Sequence, residues 1–188
     1  QHDARLVALL DVVVEMRFSV FCNGGGGVGG GHGQPQYNPC IVKHVKKSVL
    51  LWYSPREMFD LVVDVPAYPQ FLPWCQRAEV LSQEPGVVTA RLHLAYAGVR
   101  HAFTTRNTQV AGQSVGMSLV DGPFSHLEGV WRFLPIGPDG KACKVEFELS
   151  YAFASRPLEL VVSPVFDRIA NTFVDAFVAR AEQVHGKR

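Results

Sequence analysis

From Lys144 to Phe153 the chain alternates strictly. Val145, Phe147, Leu149, Tyr151 and Phe153 hold one parity, and Lys144, Glu146, Glu148 and Ser150 the other. A period of two over such a run specifies a strand with one buried and one wet face. Shortly after it, Phe166, Ile169, Ala170, Phe173, Phe177, Ala181 and Val184 recur at three- and four-residue steps, with Asp167, Arg168, Asn171, Asp175 and Glu182 on the other side. That spacing is one apolar stripe on a long helix. A one-sided strand and a one-sided helix each need a cover. In a chain of 188 residues, long enough for one domain or one domain plus an appendage, they cover each other.

More strands precede this pair. Val88, Ala90, Leu92, Leu94 and Tyr96 alternate with polar or small residues, and Ala97-Gly98 turns the chain into Val99–Asn107. Val115, Met117 and Leu119 share a face, as do Leu127, Gly129, Trp131 and Phe133. Strands at this spacing, joined by short turns, form an antiparallel meander. Upstream, Ser54-Pro55-Arg56-Glu57 is a helix start, with Ser as N-cap, Pro in the first turn and Glu as capping-box partner. Pro66 and Pro69 end that helix, and a helical turn is expected around Tyr68–Leu72. The order is strand, helix, short helix, about six strands, long helix. It predicts an α+β fold in which a curved antiparallel sheet wraps around a long C-terminal helix. Where the sheet curls away from the helix, an elongated apolar cavity is expected. Pro164 falls inside the long helix and is expected to restart or kink it.

The chain divides near residue 42. From Gly24 to Gly31 every residue but Val28 is Gly, which reads as a flexible linker. A phosphate-cradling loop would need a preceding strand and a following Gly-Lys-Ser/Thr or helix start, and the sequence offers neither. Residues 1–41 are therefore read as a flexible or non-native extension, and 42–186 as the folded domain. Cys22, Cys40, Cys75 and Cys143 fit no zinc spacing and are read as free thiols in a reducing compartment. Leu6–Val14 is apolar but carries Asp11 and lacks a cleavage site, so a signal peptide is not expected. The expected location is cytoplasmic, with peripheral contact at the inner membrane. Lys+Arg 18 against Asp+Glu 17 gives no electrostatic case for gripping DNA.

Four strings carry a resemblance. They are Val62–Cys75, with its Tyr68-Pro69, Phe71-Leu72-Pro73 and Cys75; Phe103–Asn107; Val120–Phe124, with Asp121-Gly122-Pro123; and Leu127–Phe133. From about Val45 to Val184 the chain closely resembles the bacterial ribosome-association toxin family. That family is similar to mitochondrial coenzyme Q-binding proteins and is often labelled polyketide cyclase or lipid transport. The resemblance implies a START-like helix-grip fold, a ubiquinone or related isoprenoid lipid as ligand without a covalent cofactor, and support of respiration. It also implies a second role, blocking association of ribosomal subunits.

The candidate ligand residues follow from the pattern. Tyr68, Phe71, Leu72 and Trp74 sit in a proline-bracketed loop, either plugging the core or forming a lid over a cavity mouth that meets ligand or membrane. Phe103, Phe124, Trp131, Phe147, Tyr151, Phe173 and Phe177 are candidate inward aromatics. Most serve as core, and a subset lines the cavity. Arg106 reads either as an outer-face arginine or as a buried cation, paired with Asp121, that orients a quinone carbonyl. A cyclase would need a base and an oxyanion stabiliser together. His93 alternates toward the polar face and His101 has no identifiable partner. No metal spacing or catalytic triad is present, so a binding protein is expected. A ribosomal partner would meet the cluster Lys43, His44, Lys46 and Lys47, which reads otherwise as a solvated first strand whose lysines deter edge pairing.

Overall fold

The computed structural model describes residues 13–20 and 41–188. Strands β1 (Val13–Val20) and β2 (Ile41–Leu51) come first, then helix α1 (Pro55–Val63) and a short 3-10 helix (Val65–Gln70). Strands β3 (Cys75–Glu84), β4 (Val87–Tyr96), β5 (Val99–Val110), β6 (Ser114–Asp121), β7 (Phe124–Ile136) and β8 (Ala142–Phe153) follow, and helix α2 (Arg156–His185) closes the chain. Among the described residues the strands form one antiparallel sheet in the order β1-β2-β8-β7-β6-β5-β4-β3. It is the expected curved sheet with a long C-terminal helix packed against it. The glycine-rich stretch Gly24–Gly31 lies outside the described residues, so its reading as a linker does too.

Local chemistry accounts for the element ends. At α1 the Ser54 hydroxyl accepts from the Glu57 N–H (3.2 Å) while Glu57 accepts from the Ser54 N–H (2.8 Å). This reciprocal box satisfies two otherwise orphaned donors. The 3-10 helix carries Pro66 in its first turn and Pro69 within it, and the Tyr68 hydroxyl donates to the Val62 carbonyl at 2.6 Å, folding this segment back on α1. Gly122 follows β6 with φ +146, and a Cβ there would sit 2.6 Å from Phe103 Cβ, so only glycine fits.

Three expectations need correction, and one strand shows no pattern in the sequence. β2 is not an edge. It lies between β1 and β8, and its lysines divide, Lys47 being buried (3% exposed) while Lys46 points outward. Helix α2 runs unbroken through Pro164 from its N-cap Ser155. Pro164 falls on the exposed side of the helix, away from the packed core. Val184 is half exposed and does not extend the buried stripe. β3 shows no alternation in sequence because it is an edge strand exposed on both faces for most of its length.

Candidate functional site

Between α2 and the half of the sheet that ends in β3, the apolar packing leaves a small, partly enclosed space of about 60 Å³. β4 and β5 form its wall in register, with Leu92 opposite Phe103, Ala90 opposite Thr105, and Val88 opposite Asn107. α2 roofs it with Phe166, Ile169, Ala170 and Phe173, a run at steps of three, one and three on one helix face. Val65 and Tyr68 of the 3-10 helix, with Trp74, close one end. Met117, Leu127, Phe147 and Leu149 form the floor. Gly129 sits beneath two of them: a Cβ there would lie 2.6 Å from Met117 Cε and 3.2 Å from Leu149 Cδ1. A space of about 60 Å³ holds about two waters, against roughly 300–1,000 Å³ for sites of drug-sized ligands. The space as it stands is too small for a drug-sized molecule.

Five of the twelve candidate residues line this space: Tyr68, Trp74, Phe103, Phe147 and Phe173. Trp74 and Phe173 face each other at 5.7 Å, and Phe147 and Phe173 at 5.5 Å. Phe71 and Leu72 lie behind the 3-10 helix. Phe71 packs edge-on against Tyr68 and Phe177 and carries the Arg180 guanidinium at 5.4 Å. Leu72 is fully buried, so the proline-bracketed segment both plugs the core and supplies cavity wall. Trp131, Phe177, Phe124 and Tyr151 form a second layer. Trp131 packs on Phe147 (4.5 Å) and Phe177 (5.2 Å), and Phe124 and Tyr151 pack on Phe166 (each 4.8 Å).

Arg106 is exposed on the outer face of the sheet, away from the cavity, and the cation 4.0 Å from Asp121 is Arg91. The inward neighbour is Asn107, which sequence reasoning passed over. The same alternation that turns Arg106 outward turns Phe103, Thr105 and Asn107 inward, so the signal was there. Asn107 lines the space, and its buried Oδ1 has no hydrogen-bond partner.

The polar chemistry of the interior is concentrated elsewhere. Across the β2–β8 flank of α2, Lys43 Nζ lies 2.7 Å from Asp167 Oδ2 and also contacts the Ser163 hydroxyl. The Tyr151 hydroxyl donates to Asp167 Oδ1 at 2.6 Å. Burial, then the bond to this carboxylate, hold the Tyr151 phenol well above its ordinary range. One helical turn pair along, Lys47 Nζ meets Asp175 at 3.2 Å. None of these groups lines the cavity, whose one ionisable side chain is Tyr68. Burial pushes the Tyr68 phenol far above its usual value, so it stays neutral. Burial also pushes the Cys75 thiol to about 11 and Cys143 to about 12, which makes neither a ready nucleophile. His93 lies outside the cavity, 2.7 Å from Glu79, and His101 does not line it. A wider hollow of about 780 Å³ on the outer face, bordered by His44, Lys46, Arg106, Glu128 and Glu148, is open to solvent and too polar to bury an apolar tail.

Comparison with known proteins places this geometry. Residues 51–178 match the family model described as polyketide cyclase / dehydrase and lipid transport. The chain is 43% identical to the ribosome association toxin RatA of Pseudomonas aeruginosa, over 76% of this chain and 98% of that protein. It is 34% identical to a mitochondrial coenzyme Q-binding protein homologue of Xenopus laevis, over 76% of this chain and 59% of that one. Among solved structures, a START superfamily protein from Mycobacterium smegmatis superposes with a TM-score of 0.63 at 23% identity, covering 75% of this chain and 98% of that one. The Zhui aromatase/cyclase from Streptomyces superposes with 0.61 at 20% identity, covering 76% and 94%. These two likenesses show the fold alone.

Proposed function

Because this chain belongs to the polyketide cyclase / dehydrase and lipid transport family and has its START-like fold, we propose that it holds a lipid-type molecule, a quinone or related isoprenoid, between α2 and the β4–β5 wall. The carrying observation is the wall itself. Sixteen residues enclose the space, and none can bear a charge at neutral pH, Tyr68 being held neutral. Such a wall can gain about 25 cal/mol for each Å² of apolar ligand surface it buries. Aromatic neighbours such as Trp74, Phe147 and Phe173 suit a flat ring. It offers no general base for a cyclisation, since no histidine, carboxylate or lysine lines it, which favours binding over catalysis.

Exchange with a membrane is part of this reading. On the first turns of α2, Pro157, Leu160, Val161 and Pro164 share one solvent-facing side at helical spacing, with Leu160 69% and Val161 61% exposed. Arg156 and Arg168, both exposed, flank them. An apolar stripe with a basic margin fits an anionic lipid surface. Among the described residues no helix is long and apolar enough to cross a membrane.

The direct test is native mass spectrometry with organic extraction of the full chain, beside Ala170→Leu. Ala170 roofs the space, and the larger side chain fills it at an overpacking cost of about 1–3 kcal/mol. A stoichiometric quinone or isoprenoid in the wild type, reduced at least tenfold in the folded variant, is the expected outcome. A wild type that carries no lipid and takes up none defeats the reading.

One observation favours a second reading. The RatA relative is nearer in sequence than the coenzyme Q-binding one, 43% against 34%. On that reading the chain inhibits association of ribosomal subunits. The two are compatible, since the cavity is internal and a ribosomal surface would be external. Sedimentation of ribosomes with added protein tests it: a rise in free subunits supports it, and an unchanged profile removes it.

A further inference from the structure

Asn107 is out of place by the logic of the wall around it. It is buried on the inward face of β5, its partners in register are Val88 on β4 and Met117 on β6, and neither side chain can donate a hydrogen bond to its amide oxygen. Its Oδ1 has no partner. A buried amide oxygen without a partner is destabilising, and Val or Leu would suit the apolar surroundings better. Thr105, also buried and on the same face, stands roughly 7 Å along the strand. Its partner in register is Ala90, and Ala170 roofs the same space, so the two smallest side chains of the site leave the room at this point.

We propose that Asn107, supported by Thr105, is the polar recognition point of the cavity, and that the ligand is an apolar molecule bearing an uncharged oxygen function. This inference rests on the lipid-binding reading above and narrows it. An amide can donate to a carbonyl or accept from a hydroxyl, so a quinone, its hydroquinone or a prenyl alcohol each satisfies it. A plain hydrocarbon leaves the amide unpaired. A carboxylate or phosphate is refused, because no cation lines the wall to compensate the lost hydration.

The test uses the full chain and three probes that share one isoprenoid skeleton: farnesol, farnesene and farnesoate, titrated by displacement of a fluorescent apolar dye. The wild type is expected to bind farnesol about tenfold tighter than farnesene, the size of one net hydrogen bond, and farnesoate weakest. Asn107→Leu is expected to erase the farnesol preference, leave farnesene binding equal or tighter, and raise the melting temperature. Thr105→Val, a milder change that checks the result in a second folded protein, is expected to lower the preference about threefold. If both variants keep the wild-type farnesol-to-farnesene ratio, the recognition point is wrong although the apolar site stands. If the wild type binds none of the three probes, the lipid-binding reading falls and this inference falls with it.

Discussion

Helix α2 meets the sheet along two flanks built from opposite materials. On the β2–β8 side, Lys43, Lys47, Tyr151, Asp167 and Asp175 join strand to helix through charged and hydrogen-bonded contacts of 2.6–3.2 Å. On the β4–β5 side the contacts are apolar and enclose a space. Directional polar contacts tolerate little displacement, because losing one strands a buried charge. Apolar contacts are non-directional and can be exchanged for contacts with a ligand. The helix is thus held more firmly along its polar flank than along its apolar one. Its far end is tethered too, since Glu57 of α1 meets Arg188 at 3.1 Å and the Tyr53 hydroxyl donates to the Gly186 carbonyl at 2.8 Å.

The sharpest way to break the contrast is Asp167→Ala, which removes the acceptor of both Lys43 and Tyr151. It is expected to destabilise the fold by about 3 kcal/mol in urea unfolding. A loss below about 1 kcal/mol would mean that the polar flank holds nothing. Lys47→Met cuts the second contact from the other side. Lys47 is buried while Asp175 is half exposed, so the variant frees an acid that water can serve and fills the lysine's place with an apolar side chain. Its stability is expected to stay within about 1 kcal/mol of wild type, on either side. A large loss there would show that the lysine is a true stabiliser.

The smallest effect concerns the tether. Burial opposes ionisation of Glu57, but hydrogen bonds from the Ser54 N–H and hydroxyl and from Arg188 outweigh it and hold the carboxyl below its ordinary value. A lowered folded value favours the folded state above the ordinary carboxylate range, and this gain is lost as pH falls through the folded value. Melting curves of wild type and Glu57→Gln should therefore differ most near neutral pH and converge in acid. A gap that widens in acid would reverse the sign and discard the tether.

How much of this could be read from the sequence depended on how one-sided each element is. β8 and α2 declare themselves, since each has one apolar and one polar face. The edge strand β3 has no buried face over most of its length and so imposes no period. The lysines of β2 misled for a physical reason: charge patterning says a side chain is costly to bury, not where its partner waits about 130 residues later, and Lys47 finds Asp175 only in the folded chain. At the cavity, the aromatic residues were legible as a class, but not which of them stand in front and which behind. Trp131 and Phe147 share the inward parity and touch, yet only Phe147 reaches the space. Asn107 was readable by counting from Phe103 and was missed because a charged neighbour drew attention first.

The pairing of β2 with β8 joins the second strand in the chain to the last, Lys43 standing opposite Tyr151. Closing a loop of about a hundred residues precedes any reward from that contact, which places the chain among slow, non-local folders. During synthesis β2 must wait, unpaired on that side, until nearly the whole domain has left the ribosome. Helix α2 leaves the ribosome after β8, so the cavity it roofs cannot close until the last element of the domain has been made.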